Sequence, residues 1–113
     1  FKLYAYCLMD NHVHLLIEQT TTELETIMKR IEVKFVKWYN RKYKRIGYLF
    51  QDRYKSEPIN DEGYFRIVFR YIHQNPLHAG LETAIGTYRW SSYYDYAISQ
   101  SSFVDIDKAI NLF

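Results

Sequence analysis

The residue grouping best suited to chemistry in this chain is His12-Val13-His14. On a strand, residues i and i+2 point to the same side, so both imidazoles can bind one ion. Val13, Leu15 and Ile17 point the other way, which keeps the pair out of the main apolar layer. The plainer reading is surface or core packing. A second grouping is Tyr71 with Asn75, four apart and therefore on one helix face. Tyrosine is quiet at neutral pH, because its hydroxyl has a pKa of ~10. To act as a nucleophile it needs a deprotonating partner or an activated electrophile. A metal-bound phosphate is such an electrophile, since the ion withdraws charge from a nonbridging oxygen. The Asn75 carbonyl oxygen could complete the coordination. Tyr71 is one of twelve tyrosines, and packing is the ordinary fate of any one of them.

These residues need elements to hold them. Phe1 to Met9 reads as a strand, Asp10-Asn11 as a turn whose residues tolerate positive φ, and His12 to Glu18 as a second strand. A two-residue loop makes this a hairpin, with Met9 opposite His12, Cys7 opposite His14 and Ala5 opposite Leu16. One face then carries Tyr4, Tyr6, Leu8, Val13, Leu15 and Ile17 and is expected to lie buried under helices. The other carries the two histidines, Leu16 and Glu18, with Ala5, Cys7 and Met9; the small Ala5 and Cys7 leave space beside the imidazoles. Glu18 lies ~13 Å along the strand from His14, too far to join it as a ligand.

Thr22-x-x-Glu25 is a capping box that predicts a helix start, and apolar residues continue at helical spacing to about Tyr43. Gly47 ends that unit. Tyr48 to Glu57 predicts a third strand closed by Pro58. Asn60 or Asp61 caps a second helix with Phe65, Val68, Phe69 and Ile72 as its buried stripe. Tyr64, Tyr71 and Asn75 flank that stripe, while Arg66, Arg70 and His73 are placed toward solvent. Asn75-Pro76 is expected to end it. Ser91 or Ser92 predicts a short helix, and Asp105 a final one through Ile110. The whole reads as one α+β domain over residues 1–113, an antiparallel sheet of the ferredoxin-like kind with packed helices.

Here the residues resemble a family. Met9-Asp10-Asn11-His12-Val13-His14-Leu15-Leu16-Ile17 resembles the histidine motif of the HUH single-strand nucleases. Tyr71-Ile72-His73-Gln74-Asn75-Pro76, with Ala79-Gly80-Leu81, resembles the tyrosine motif of REP-associated tyrosine transposases. Trp90-Ser91-Ser92-Tyr93 is similar to the signature that follows it there, and Phe50-Gln51 with Arg53-Tyr54 to the strand between. The resemblance implies an HUH endonuclease fold that lacks its first strand and helix in this chain, which begins at Phe1 rather than Met. It implies a transposase that cuts and rejoins single-stranded DNA, hairpin or repeat-derived, through a 5′-phosphotyrosine link. Tyr71 would be the nucleophile, His12 and His14 the ligands of Mg²⁺ or Mn²⁺, and Asn75 the residue assisting the metal. Two imidazoles also suit Zn²⁺ on softness grounds. Asp10 stands where the family commonly has Pro. Some relatives are homodimers.

Charge agrees with a nucleic-acid partner. The net charge is +2, yet Lys29 to Arg45 holds eight basic residues against Glu32 alone, and aromatics are 19% of the chain. Lys34, Lys37, Arg41 and Lys42, with Arg53 and Lys55 beyond, are candidate phosphate contacts. The plain alternative is a solvated helix face. The single Cys7 forms no internal disulfide, no apolar run spans a bilayer, and an intracellular, cytoplasmic protein is the expectation. Two other functions fit fewer features. One is a DNA-binding module that does not cleave. The other is a cupin-like metal enzyme, for which His12-x-His14-x-x-x-Glu18 supplies half a pattern but the capped helix after Thr22 does not fit.

Overall fold

A computed structural model describes residues 1–50, 53–84 and 86–113. Two compact units emerge, one of residues 2–18 and 59–113, the other of Phe1 and residues 19–58.

The first unit is α+β. Strands β1 (Lys2–Leu8) and β2 (Val13–Glu18) pair antiparallel, with Cys7 opposite His14 and Ala5 opposite Leu16, as the two-residue loop predicts. The Met9 N–H donates to the His12 carbonyl at 2.8 Å. Asp10 and Asn11 close the turn without adopting positive φ. The register slips between Leu3 and Ala5, so Tyr4 is an extra residue on β1. That bulge turns the Tyr4 side chain to the same side as Ala5.

Helix α2 (Glu62–His78) packs on both strands. Asp61 caps it, its side chain accepting from the Tyr64 N–H at 2.7 Å. The core is Tyr4, Ala5, Cys7, Leu16, Phe65, Ile72 and Ala109. The buried face of the hairpin is therefore the histidine face, not the Tyr6–Leu8–Val13 face expected. Leu8 and Val13 are exposed, while Ala5 and Cys7 are fully buried. Side-chain size explains the choice: two small residues let the helix approach β1 closely, so the space beside the imidazoles is filled by α2.

Pro76 does not end α2. It is fully buried in the last helical turn, where it costs one ladder bond, that to the Ile72 carbonyl. The helix closes after it with the Leu81 N–H on the Pro76 carbonyl (2.8 Å) and the Gly80 N–H on the Leu77 carbonyl (3.1 Å), Gly80 at φ 76°. This is the Schellman closure, and glycine suits its left-handed position.

The chain then returns along β1. Leu8 N–H donates to the Trp90 carbonyl (2.7 Å), Ser92 N–H to the Tyr6 carbonyl (3.0 Å), and Cys7 bridges Ser91 antiparallel. Residues 90–92 thus occupy the outer edge of β1. Helix α3 (Tyr93–Ala97) follows, then α4 (Ile106–Asn111), capped by Asp105, which accepts from the Lys108 N–H.

The second unit contains helix α1 (Leu24–Lys42). Its start is not a capping box. Glu23 is the N-cap without a side-chain bond, and Gln19 accepts from the Leu24 N–H instead. Lys44 takes a left-handed φ of 52° just past the helix, before Gly47 does so at 94°. The predicted third strand is absent at residues 48–50 and 53–57. Gln51 and Asp52, on which part of that expectation falls, lie outside the described residues. The physical reason is pairing: no described strand supplies a ladder for that backbone.

Candidate metal and tyrosine centre

The hairpin and α2 bring His12, His14, Tyr71 and Asn75 together. The Nε2 atoms of His12 and His14 lie 3.1 Å apart, with the rings edge to face at 4.8 Å. His12 gives its Nδ1 side to the Asn11 Oδ1 at 2.6 Å. That contact leaves the Nε2 side of the His12 ring facing His14. Asn75 Nδ2 lies 3.0 Å from His14 Nε2. The Tyr71 ring meets His14 edge to face at 5.7 Å between centroids.

The local sequence explains each placement. The parity of β2 puts His14 on the face that α2 covers, and His12, just before the strand, brings its ring against it. At 100° per residue, Tyr71 and Asn75 lie on one flank of the Phe65–Ile72 stripe, so burying that stripe aims the flank at β2. Tyr71 is 52% exposed. Burial first, and the neighbouring His12 second, lower the pKa of His14. Both causes favour the neutral ring that metal ligation requires.

The donor set fits an ion. Two nitrogens bound to one metal at ~2.1 Å and near a right angle lie ~3 Å apart, which is the spacing of the Nε2 pair. A half-turn of the Asn75 amide presents Oδ1 in place of Nδ2. Among the described residues, no group of three or more His, Cys, Asp or Glu residues could hold a metal. Asn75, 3.0 Å from His14 Nε2, is the neighbouring side chain that could supply a third donor. Glu18 is engaged elsewhere: it accepts from the Tyr4 hydroxyl and from Lys108 Nζ, the latter at 2.9 Å on both oxygens. The Tyr4 bond and Lys108 hold its carboxyl below the usual range.

The candidate phosphate contacts belong to the second unit. Lys34, Lys37 and Arg41 recur at three- and four-residue steps on α1, and all three are exposed, as is Lys42. Lys42 Nζ sits over the Trp38 ring at 5.0 Å and the Tyr43 ring at 5.5 Å. Arg53 and Lys55 lie exposed in the irregular segment that follows.

One residue expected in solvent is buried at the site's back. His73 is 5% exposed, and its Nε2 lies 2.6 Å from Ser92 Oγ. Desolvation pushes its pKa down to about 4 against a bond to the Phe69 carbonyl that raises it. The helical wheel carried this signal. His73 lies only ~40° from Phe69, at the edge of the buried stripe rather than opposite it.

The sequence has a family. Residues 1–75 match the family described as Transposase IS200 like. The chain belongs to that family, a DNA-acting transposase class, and the matched span runs from the first strand through Asn75. Comparison with curated proteins and with solved structures gave no match. No helix among the described residues is long and apolar enough to cross a membrane.

Proposed function

We propose that this protein cuts and rejoins single-stranded DNA with Tyr71 as the nucleophile. The observation that carries the reading is the convergence of the Tyr71 ring and the Asn75 amide on His14, itself 3.1 Å from His12. In the forward step the Tyr71 oxygen bonds to the scissile phosphorus and the phenol loses its proton. The bond from phosphorus to the 3′ oxygen breaks, and that oxygen takes up a proton. The products are a 5′-phosphotyrosine and a free 3′-OH. No water is consumed, so another 3′-OH can reverse the step and join a new strand.

His12 and His14 would hold a divalent ion through Nε2, with Asn75 Oδ1 beside them. When bound, that ion supplies charge withdrawal from a nonbridging phosphate oxygen. The mixed nitrogen and oxygen donors suit Mn²⁺ better than Mg²⁺, which favours oxygen; Zn²⁺ suits the imidazoles. Lys34, Lys37, Arg41, Lys42, Arg53 and Lys55 supply phosphate contacts to the strand. The motifs beyond the matched span, Ala79-Gly80-Leu81 and Trp90-Ser91-Ser92-Tyr93, favour the REP-associated subtype and hence hairpin substrates.

The test is incubation with single-stranded hairpin DNAs and Mn²⁺, followed by denaturing electrophoresis. A denaturant-resistant protein–DNA adduct forms with the wild type and is lost in Tyr71→Phe, which keeps its DNA affinity. DNA binding without an adduct in either protein would instead establish a non-cleaving binding module.

A further inference from the structure

The bridge between His73 and Ser92 lies outside the chemistry above, and Ser92 lies beyond the family match. Ser92 is fully buried, and so is Cys7, which bridges the preceding Ser91. The Ser92 hydroxyl lies 2.6 Å from His73 Nε2 and accepts from the Tyr6 N–H at 3.0 Å. The ring's tautomer decides which of the two partners donates across that bridge. His73, Ser92 and the Tyr6 backbone thus form one connected set of hydrogen bonds between α2 and β1.

The two ends of that set matter. One end is on α2, two residues beyond Tyr71 and two before Asn75. The other is the β1 backbone at Tyr6, next to Cys7, the residue paired with His14. Apolar packing of Phe65 and Ile72 holds α2 on the sheet but tolerates sliding and rotation, because dispersion forces lack direction. A short directed bond does not. The rings of Phe69, Tyr93 and Tyr96 surround His73 at 4.6, 6.1 and 5.7 Å, which keeps water from replacing it.

We infer that His73 and Ser92 are positioning residues, a latch that fixes the register of α2 against β1 and so sets where Tyr71 and Asn75 stand relative to His14. The inference rests on the Tyr71 reading for its consequence in catalysis, but not for its geometry. A misplacement of about 1 Å at a reacting group costs up to about 100-fold in rate, so the latch is expected to affect the chemical step and not DNA affinity.

His73→Leu opens the latch with little collateral damage. The freed Ser92 hydroxyl has the Tyr6 carbonyl within reach at 3.3 Å. His73→Gln keeps a hydrogen-bonding group, able to donate or accept, toward Ser92. Two measurements apply. One is the nuclear Overhauser effect between the His14 ring and the Tyr71 ring or Asn75 amide in the free protein. The other is the single-turnover rate of adduct formation at saturating DNA. The expected result in His73→Leu is disappearance of the Overhauser signals and about 10- to 100-fold slower adduct formation. DNA affinity stays unchanged, and His73→Gln restores both readouts. If the Overhauser signals vanish in His73→Leu while even the wild type forms no adduct, the latch stands and the Tyr71 chemistry is rejected. Signals and rate both at wild-type values overturn the latch. Should His73→Leu fail to fold, Ser92→Ala breaks the same bridge from the other end and is read by the same criteria. If neither variant folds, the bridge holds the fold as a whole and the positioning role is overturned.

Discussion

The tyrosine centre and the basic helix meet different physical demands. At the centre, the imidazoles are tied to neighbours from another element or from the turn: His12 to Asn11, His14 to Asn75, His73 to Ser92. Among the described residues, no buried side-chain nitrogen or oxygen lacks a partner. On α1, the cations face solvent, and the close neighbours of Lys42 include aromatic rings. Reaction at a phosphorus atom demands placement within a fraction of an ångström. Phosphate attraction falls off slowly with distance and tolerates mobile lysines. Substitutions at the centre should therefore be felt in stability and rate, and those on the helix in affinity and salt dependence.

The most severe challenge to this contrast is a side-chain truncation in the core. Ile72 is 3% exposed and sits on α2 next to Tyr71. Ile72→Ala should cost about 2–5 kcal/mol, the range for a buried large-to-small change that leaves a cavity. Ile31 on α1 is 38% exposed, and Ile31→Ala should cost under about 1 kcal/mol. Urea denaturation of both variants checks this. Equal losses would show that α1 is as tightly packed as the centre and would remove the contrast.

Much of the centre was legible because it depends on parity and helical angle. The two-residue loop at Asp10-Asn11 fixed which residue of β1 faces His14, and the four-residue step put Tyr71 and Asn75 together. Parity, however, says only which residues share a face, never which face a helix will take. That was decided by the small side chains of Ala5 and Cys7 and by the Tyr4 bulge. Pro76 misled for a related reason: the penalty of a residue before proline is local, while complete burial and the Gly80 closure are tertiary gains. The Ser92 hydroxyl, expected to cap a helix, is committed to His73, and Ser91 Oγ accepts from the Tyr93 N–H in its place.

Acid should loosen the centre through His73 in a measurable way. Its folded pKa is about 4, below the ~6.5 of a free imidazole. Above pH 6.5 neither state carries the proton. Between pH 6.5 and 4 the unfolded chain binds it and the folded chain does not, so stability falls with falling pH by about 1.4 kcal/mol per unit. The total reaches about 3 kcal/mol. His14 and Glu18, both with lowered pKa values, add slopes of the same sign. The His73 share is the difference between wild type and His73→Leu in denaturant midpoints across that range. A difference that stays flat with pH would mean that water reaches the ring and that the centre is less closed than its hydrogen bonds indicate.

The smallest effect should come from the helix. If Lys34, Lys37 and Arg41 contact phosphates as proposed, replacing them by Gln one at a time removes one contact each. For single-stranded DNA, each contact contributes about 0.7 to the slope of log affinity against log salt. Each substitution should lower that slope by about this amount, and the three together by about 2. The adduct rate at saturating DNA should stay near the wild-type value, because these side chains stand on a different unit from Tyr71. Fluorescence anisotropy over a salt series measures the slope, and quenched adduct assays measure the rate. A slope unchanged in the triple variant would return α1 to the status of a solvated face and move the DNA-binding surface onto the hairpin and α2. A slower adduct rate with unchanged slope would mean that these cations position the scissile phosphate, so that helix and centre are one device.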